Sequence, residues 1–187
     1  MALVYINTIH YMFSSDKFKQ ITIQNSFTDR LSIVSVANEI YYLIKGEKNL
    51  SFRKMNEIKK LLENDMINCL FIENTLAGFL ISHKLSNAII EINGLYVKPQ
   101  FRKNNLSSLL IEHATKNTAN NYFAATFLEN IKTILELHGF KETSLSYLNY
   151  REKINFLKQR FKLHRLKEVF RHKKNSKLIL LKKECRK

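Results

Sequence analysis

Apolar residues along this chain recur first at the spacing of a strand and then at that of a helix, and the switches between the two periods lay out most of a fold. Residues 19–25 (KQITIQN) alternate as a strand does. Thr28-Asp29 offers an N-cap for a helix through Ile44 that ends near Gly46. Ser51 is the next N-cap signal, ahead of FRKMNEIKKLLEND, whose Met55, Ile58, Leu61 and Leu62 share one helical face. Residues 67–73 and 76–84 read as two strands joined through the short turn Glu73-Asn74-Thr75. Residues 88–97 are nearly all apolar, as expected of a strand covered on both faces. A helix over 104–118 follows, with Leu106, Leu109, Leu110 and Ala114 facing inward, then a strand at 122–127. A short helix at 129–137 is stopped by Gly139, and 140–146 is a further strand.

The remainder of the chain changes character. Ile154, Leu157 and Phe161, then Leu163, Leu166 and Phe170, fall at helical spacing with Lys and Arg between them. They predict a basic amphipathic helical segment over 147–176, bent near Leu163, ahead of a last strand at 177–184 that begins KLILLKK. At the other end, MALVYINTIHYMFSS has no basic start, is broken by Asn7 and His10, and lacks a small-residue cleavage pattern, so it reads as part of the fold or as a docking surface. No run approaches the roughly 20 apolar residues of a membrane span. A length of 187 residues is that of a single domain, 1–187, with a full core.

Charge is more informative here than composition. Of a net +15, residues 151–187 hold +12, from fifteen Lys or Arg against Glu152, Glu168 and Glu184. A basic segment on a near-neutral body points to an anionic partner: RNA or a ribosome ahead of an acidic membrane surface, although a solvated lysine-rich helix would look the same. The cations available for docking are Lys158, Arg160, Lys162, Arg165, Lys167, Arg171, Lys173 and Lys174. Cys69 lies in an apolar strand pattern and Cys185 near the end, which suits a reducing, cytoplasmic compartment and resembles no metal-ligand set.

The chain's one proline, Pro99, ends a strand (EINGLYVKP), and a helix then opens through Arg102-Lys103-Asn104-Asn105-Leu106-Ser107. The first N–H groups of a helix lack partners inside it and carry partial positive charge, so they suit a phosphate. Asn105 is the non-glycine residue type that best tolerates a left-handed turn, Ser107 is small, and Arg102 and Lys103 add cations.

This junction resembles the acyl-CoA site of the GNAT superfamily of N-acetyltransferases, where V-x-P is followed by Q/R-x-x-G-x-G/A and an apolar helix. Arg102 stands at the Q/R position, Asn105 replaces the first glycine and Ser107 the second small residue. The resemblance extends over about 19–143 and implies an α/β fold with a mixed sheet, here with a basic helical insertion before the last strand. It implies acetyl-CoA as co-substrate and no metal. The pyrophosphate would be held by Arg102, Lys103, Asn104, Asn105, Leu106 and Ser107, and the pantetheine arm by the backbone of Leu95, Tyr96 and Val97. LENIKTILELHGF is similar to the family's N-x-x-A-x-x-L-Y-x-x-x-G-F. Leu135 stands where the family's tyrosine protonates the departing thiolate, and the asparagine is displaced to Asn130, which the resemblance adds to the cofactor-binding residues.

Acyl transfer to an amine needs a base, a polarised carbonyl and a proton for the thiolate. Glu91 is the leading base, because a carboxylate in an apolar strand must be paired or must face a cleft; an ion pair with a Lys or Arg would explain it equally well. Glu129 comes second, as a carboxylate that also complements a helix dipole. Among Tyr96, Tyr122, Tyr147 and Tyr150, Tyr147 is the leading acid, since it follows the strand at 140–146. His138 reads as a cap residue and His113 as part of a helix face. Two functions fit: an N-acetyltransferase whose amine is presented by an anionic macromolecule, such as a ribosomal protein, an RNA-bound protein or a charged tRNA; or a degenerate fold of the same family that only binds nucleic acid or an acidic surface.

Overall fold

The computed structural model describes residues 8–11, 20–47, 50–160 and 177–184. They hold eight strands and five α-helices: β1 Thr8–Tyr11, β2 Ile21–Gln24, α1 Arg30–Gly46, α2 Met55–Glu63, β3 Ile67–Ile72, β4 Thr75–Lys84, β5 Ile89–Val97, α3 Leu106–Ala114, β6 Asn121–Thr126, α4 Glu129–Leu137, β7 Lys141–Glu142, α5 Tyr150–Arg160 and β8 Ile179–Lys183. The chain divides into two compact units, the first of Met1–Ile81 with Gly94–His113, the second of Ser82–Asn93 with Ala114–Lys187.

In the first unit β1, β2, β3 and β4 run antiparallel to one another in sequence order. The hairpin between β3 and β4 turns on Glu73 and Asn74, both left-handed (φ 48 and 65), the backbone that matches the twist of paired strands. Asp29 caps α1 by accepting from the Ser32 N–H at 2.7 Å. Ala37, Ile40 and Ile44 of α1, and Ile58 and Leu62 of α2, close a core over Ile67, Cys69, Leu76, Phe79, Ile81 and Tyr96. Gly78 permits close passage of β4 and β5, since a Cβ there would stand 2.6 Å from the Tyr96 carbonyl oxygen and 3.3 Å from Val97 Cα. Gly78→Ala is therefore expected to destabilise the protein by about 1–3 kcal/mol, the usual cost of forcing extra volume between packed backbones. Denaturant unfolding checks this, and an unchanged midpoint would show that the strands part freely.

In the second unit β5 pairs in parallel with β6, β6 pairs antiparallel with β8, and β8 pairs antiparallel with β7. The last of the described strands thus enters between two earlier ones. Helix α5 starts on a reciprocal cap, the Glu152 N–H donating to Asn149 Oδ1 at 3.0 Å and the Asn149 N–H to Glu152 Oε2 at 2.9 Å. Its Phe156 packs with Leu85, Ile89, Phe123 and Leu148.

Several expected boundaries move. Helix α2 begins after Lys54 rather than Ser51, because Arg53 is fully buried and donates from Nη1 to the Ser51 carbonyl at 3.0 Å, which holds that stretch out of the helix. The Glu57 carboxylate then accepts the Lys54 N–H at 3.2 Å. Helix α3 stops at Ala114, short of 118, where an Asn117 turn takes over with its side chain accepting from the Ala119 N–H at 2.9 Å. On α3 His113 is buried, whereas Ala114 is only partly so. Strand β7 is two residues long rather than seven, since a 3₁₀ turn at Leu145–Tyr147, capped by Ser144, ends the extended run. The basic insertion is helical over Tyr150–Arg160; the bend near Leu163 and the rest of the segment, 161–176, lie outside the described residues.

Candidate active site

The junction of β5 and α3 lies in the first unit and is built by the backbone. A 3₁₀ turn, Pro99–Phe101, leads out of the strand, and Lys103 and Asn105 then adopt left-handed backbone (φ 67 and 58) before α3 begins. Asn105 does what its residue type predicts. Lys103 has no such tolerance, so the loop holds a conformation that costs about 1–2 kcal/mol for an ordinary residue, the kind of strain that gathers at ligand clamps. Asn104 ties the turn by donating from Nδ2 to the Phe101 and Arg102 carbonyls at 3.1 and 3.2 Å. Arg102 reaches back from Nε to the Val97 carbonyl at 3.0 Å, lies 5.9 Å from the centroid of the Tyr96 ring, and is 3.6 Å from Glu47. Lys103 and Asn105 are exposed, Ser107 is half-buried and Leu106 is buried beneath them. The loop therefore offers helix-start N–H groups, a small residue and two cations in one stretch of chain, a donor set that fits a pyrophosphate.

Upstream, the ladder of β5 with β6 closes at Ile92↔Ala124, while β5 itself continues to Val97. Toward β4 that continuation is paired, the Lys98 N–H donating to the Ala77 carbonyl at 2.8 Å. Leu95 is half-buried, and Tyr96 and Val97 are buried. Burial raises the Tyr96 phenol, with Glu47 adding to the effect and Arg102 opposing it.

In the second unit Glu91 is wholly buried on β5, opposite Phe123 of β6. Its Oε1 accepts from Arg160 Nη2 at 2.5 Å and from Asn93 Nδ2 at 3.2 Å, and its Oε2 has no partner among the described residues. Of the two alternatives raised by the sequence the ion pair is the one present: the carboxylate is paired with Arg160 and is fully buried. Arg160, grouped by sequence with the docking cations, is turned inward instead, because Phe156 beneath it offers a ring face 3.5 Å away and a carbonyl at 3.3 Å. The sequence raised an ion pair for Glu91 but gave no sign that Arg160 would be its partner. Lys158 is exposed on the same helix, and Lys162, Arg165, Lys167, Arg171, Lys173 and Lys174 lie outside the described residues.

Tyr147 sits half-buried in the same unit, its ring parallel to Phe123 with centroids 6.4 Å apart and Lys182 Nζ 4.6 Å from its centroid. Burial pushes its phenol up, Glu184 adds to this and Lys182 opposes it, so the hydroxyl keeps its proton at neutral pH. The other tyrosines are less suited. Tyr122 donates its hydroxyl to the Asn117 carbonyl at 3.0 Å, and Tyr150 is exposed. Leu135 is buried in α4 and has no proton to give. Asn130 is exposed in the first turn of that helix, beside Glu129, which lies 3.9 Å from Lys132. His138 closes α4 as its C-cap residue, and His113 Nδ1 pairs with Asn68 Oδ1 at 2.8 Å in the first unit. Among the described residues no cluster of His, Cys, Asp and Glu could hold a metal ion, and no helix is long and apolar enough to cross a membrane.

N-acetylglutamate synthase from Neisseria gonorrhoeae, complexed with coenzyme A and N-acetyl-glutamate, superposes with a TM-score of 0.58 at 15% identity over 89% of this chain and 35% of that one. The present chain thus spans about a third of that protein's length. Rv2747 from Mycobacterium tuberculosis, in complex with CoA and NLQ, gives 0.61 at 13% identity over 84% of this chain and 96% of the other. Arabidopsis thaliana Naa50, in complex with the bisubstrate analogue CoA-Ac-MVNAL, gives 0.54 at 11% over 88% and 98%. At such identities the likeness is one of fold. Among curated proteins no sequence matches. The sequence profile of the acetyltransferase (GNAT) family matches residues 33–140, more than half of the 187 residues and inclusive of the Pro99 to Ser107 junction. The chain belongs to the acetyltransferase (GNAT) family.

Proposed function

We propose that this protein is an acyl-CoA-dependent N-acetyltransferase that acts on an amine carried by an anionic macromolecule or its complex, such as a ribosomal protein, an RNA-bound protein or a charged tRNA. The observation that carries the reading is the left-handed loop Lys103 to Asn105 at the start of α3, after a strand whose ladder with β6 closes early. Arg102, Lys103 and the N–H groups of Leu106 and Ser107 would hold the pyrophosphate, and the backbone of Leu95, Tyr96 and Val97 the pantetheine arm. Acetyl-CoA, when bound, supplies an acetyl group activated as a thioester. Glu91 takes the proton of the acceptor ammonium, directly or through one water, and leaves the nitrogen lone pair free to attack. A backbone N–H of β5 polarises the acyl carbonyl. As the bond from nitrogen to the acyl carbon forms and the carbon–sulfur bond breaks, Tyr147, whose hydroxyl stays protonated, gives a proton to the sulfur and is restored by the proton that the acylated nitrogen sheds. The basic C-terminal segment docks the partner in a cytoplasmic setting.

The first test is ligand-linked stability. Acetyl-CoA at about a hundredfold excess over its dissociation constant should stabilise the protein by roughly 2.7 kcal/mol. Arg102→Ala with Lys103→Ala should remove most of that shift. A wild-type protein that shows no shift overturns the reading.

A second reading draws on Leu135, buried where the family motif has its tyrosine, and on the full burial of Glu91: a member of the fold that binds nucleic acid or an acidic surface without turnover. It is distinguished by an acetyl-CoA shift unaccompanied by CoA release on any amine.

A further inference from the structure

We propose that Arg160 is a positioning residue for Glu91, so that helix α5, which the family pattern does not require, completes the catalytic machinery rather than serving docking alone. The inference rests on Glu91 acting as the base. Glu91 stands on β5 with no exposure at all, in the strand face that packs toward Phe123 and Phe156. A carboxylate in such a place is costly to bury unless it is paired and hydrogen-bonded.

Arg160 supplies the missing cation with its geometry already set. Its guanidinium lies 3.5 Å over the Phe156 ring, Nη1 donates to the Phe156 carbonyl at 3.3 Å, and Nη2 donates to Glu91 Oε1 at 2.5 Å. Helix α5 is itself pinned, Asn155 Nδ2 donating to the Leu85 carbonyl at 2.9 Å and Phe156 lying edge-on to Phe123 with centroids 5.3 Å apart. With Asn93 also on Oε1, both described donors are gathered on one oxygen, and the other, Oε2, is left to accept. A pair kept only for stability would gain little here, since a buried ion pair is often no better than apolar residues of equal volume. The pair fixes the orientation of the carboxylate and leaves Oε2 as the oxygen that would take the proton.

The test is a double-mutant cycle on kcat, with CoA release measured from acetyl-CoA and a panel of short peptides bearing free α-amino and lysine amines. Arg160→Ala should lower kcat by about 10²-fold, the scale of a roughly 1 Å misplacement in a site, with KM for acetyl-CoA unchanged. In a Glu91→Gln background the same change should cost nothing further, because residues that act as a unit are not additive. Arg160→Lys, which keeps the charge but loses the planar two-point grip, should fall between. If Arg160→Ala fails to fold, Arg160→Gln takes its place in the cycle. A folded variant with wild-type kcat, or an equal loss in both backgrounds, overturns the proposal and leaves the acetyltransferase reading standing. A wild type that binds acetyl-CoA yet releases no CoA on any amine overturns that reading, and this one with it.

Discussion

Glu91→Gln should lower turnover by about 10²–10⁴-fold, the range for loss of a general base, while leaving the stabilisation by acetyl-CoA in place. The substitution keeps the shape of the side chain and its capacity to accept from Arg160 and Asn93 on Oε1, so the hydrogen bonds survive and only the charge is lost. Acetyl-CoA binding is unaffected because the loop that fits it, Arg102 to Ser107, is held by its own contacts: Asn104 to Phe101, and Arg102 to Val97. Stability falls as well, since Arg160, 20% exposed, loses a buried counter-charge. Stranding one partner of a fully buried pair costs about 3–5 kcal/mol, and the access of Arg160 to solvent reduces that. Steady-state kinetics beside a thermal melt separate the two effects. Unchanged kcat in a folded variant would assign Glu91 to structure alone.

Binding to RNA should weaken by roughly 10²–10³-fold between about 50 and 200 mM salt if some five contacts are made, because each phosphate neutralised releases counterions with a slope of about −0.9 on duplex and −0.7 on single strands. The contacts would come from Lys158, exposed on α5, with Lys162, Arg165, Lys167, Arg171, Lys173 and Lys174. Arg160 is not among them, being committed to Glu91. Charge reversal of four of these lysines and arginines to Glu should eliminate RNA binding and spare the acetyl-CoA shift, since the loop at α3 belongs to other elements. A flat salt dependence would sink the nucleic-acid partner, as would binding to anionic vesicles with none to RNA. The same four-residue variant also bears on the acceptor: turnover on a macromolecular substrate should fall far more than turnover on a short peptide.

The local order of this chain was legible in its sequence, and the reason is range. Strand and helix periods, the Asp29 cap, the Glu73-Asn74 turn and the stop at Gly139 depend on residues within about one helical turn of each other. For the same reason the loop could be read atom type by residue type: Asn105 takes the left-handed backbone that a glycine would otherwise occupy, and its φ of 58 follows from what asparagine tolerates. Lys103, at φ 67, could not be foreseen, since nothing local favours it there.

The tertiary structure decided the rest, in each case through a contact between residues far apart in the chain. Arg53 delays α2 because its side chain is buried within the first unit. His113 turns inward on α3 because Asn68, 45 residues away, meets it. Most of all, Glu91 and Arg160 are 69 residues apart, and only the packing of α5 on Phe123 brings them together. Sequence alone could place a carboxylate in an apolar strand and a cation on a basic helix, and from charge density it assigned the second to an outside partner. Which cation is taken inward depends on which turn of the helix meets the sheet, and that is set by the fit of Phe156 into the core, a property of shape rather than of local pattern.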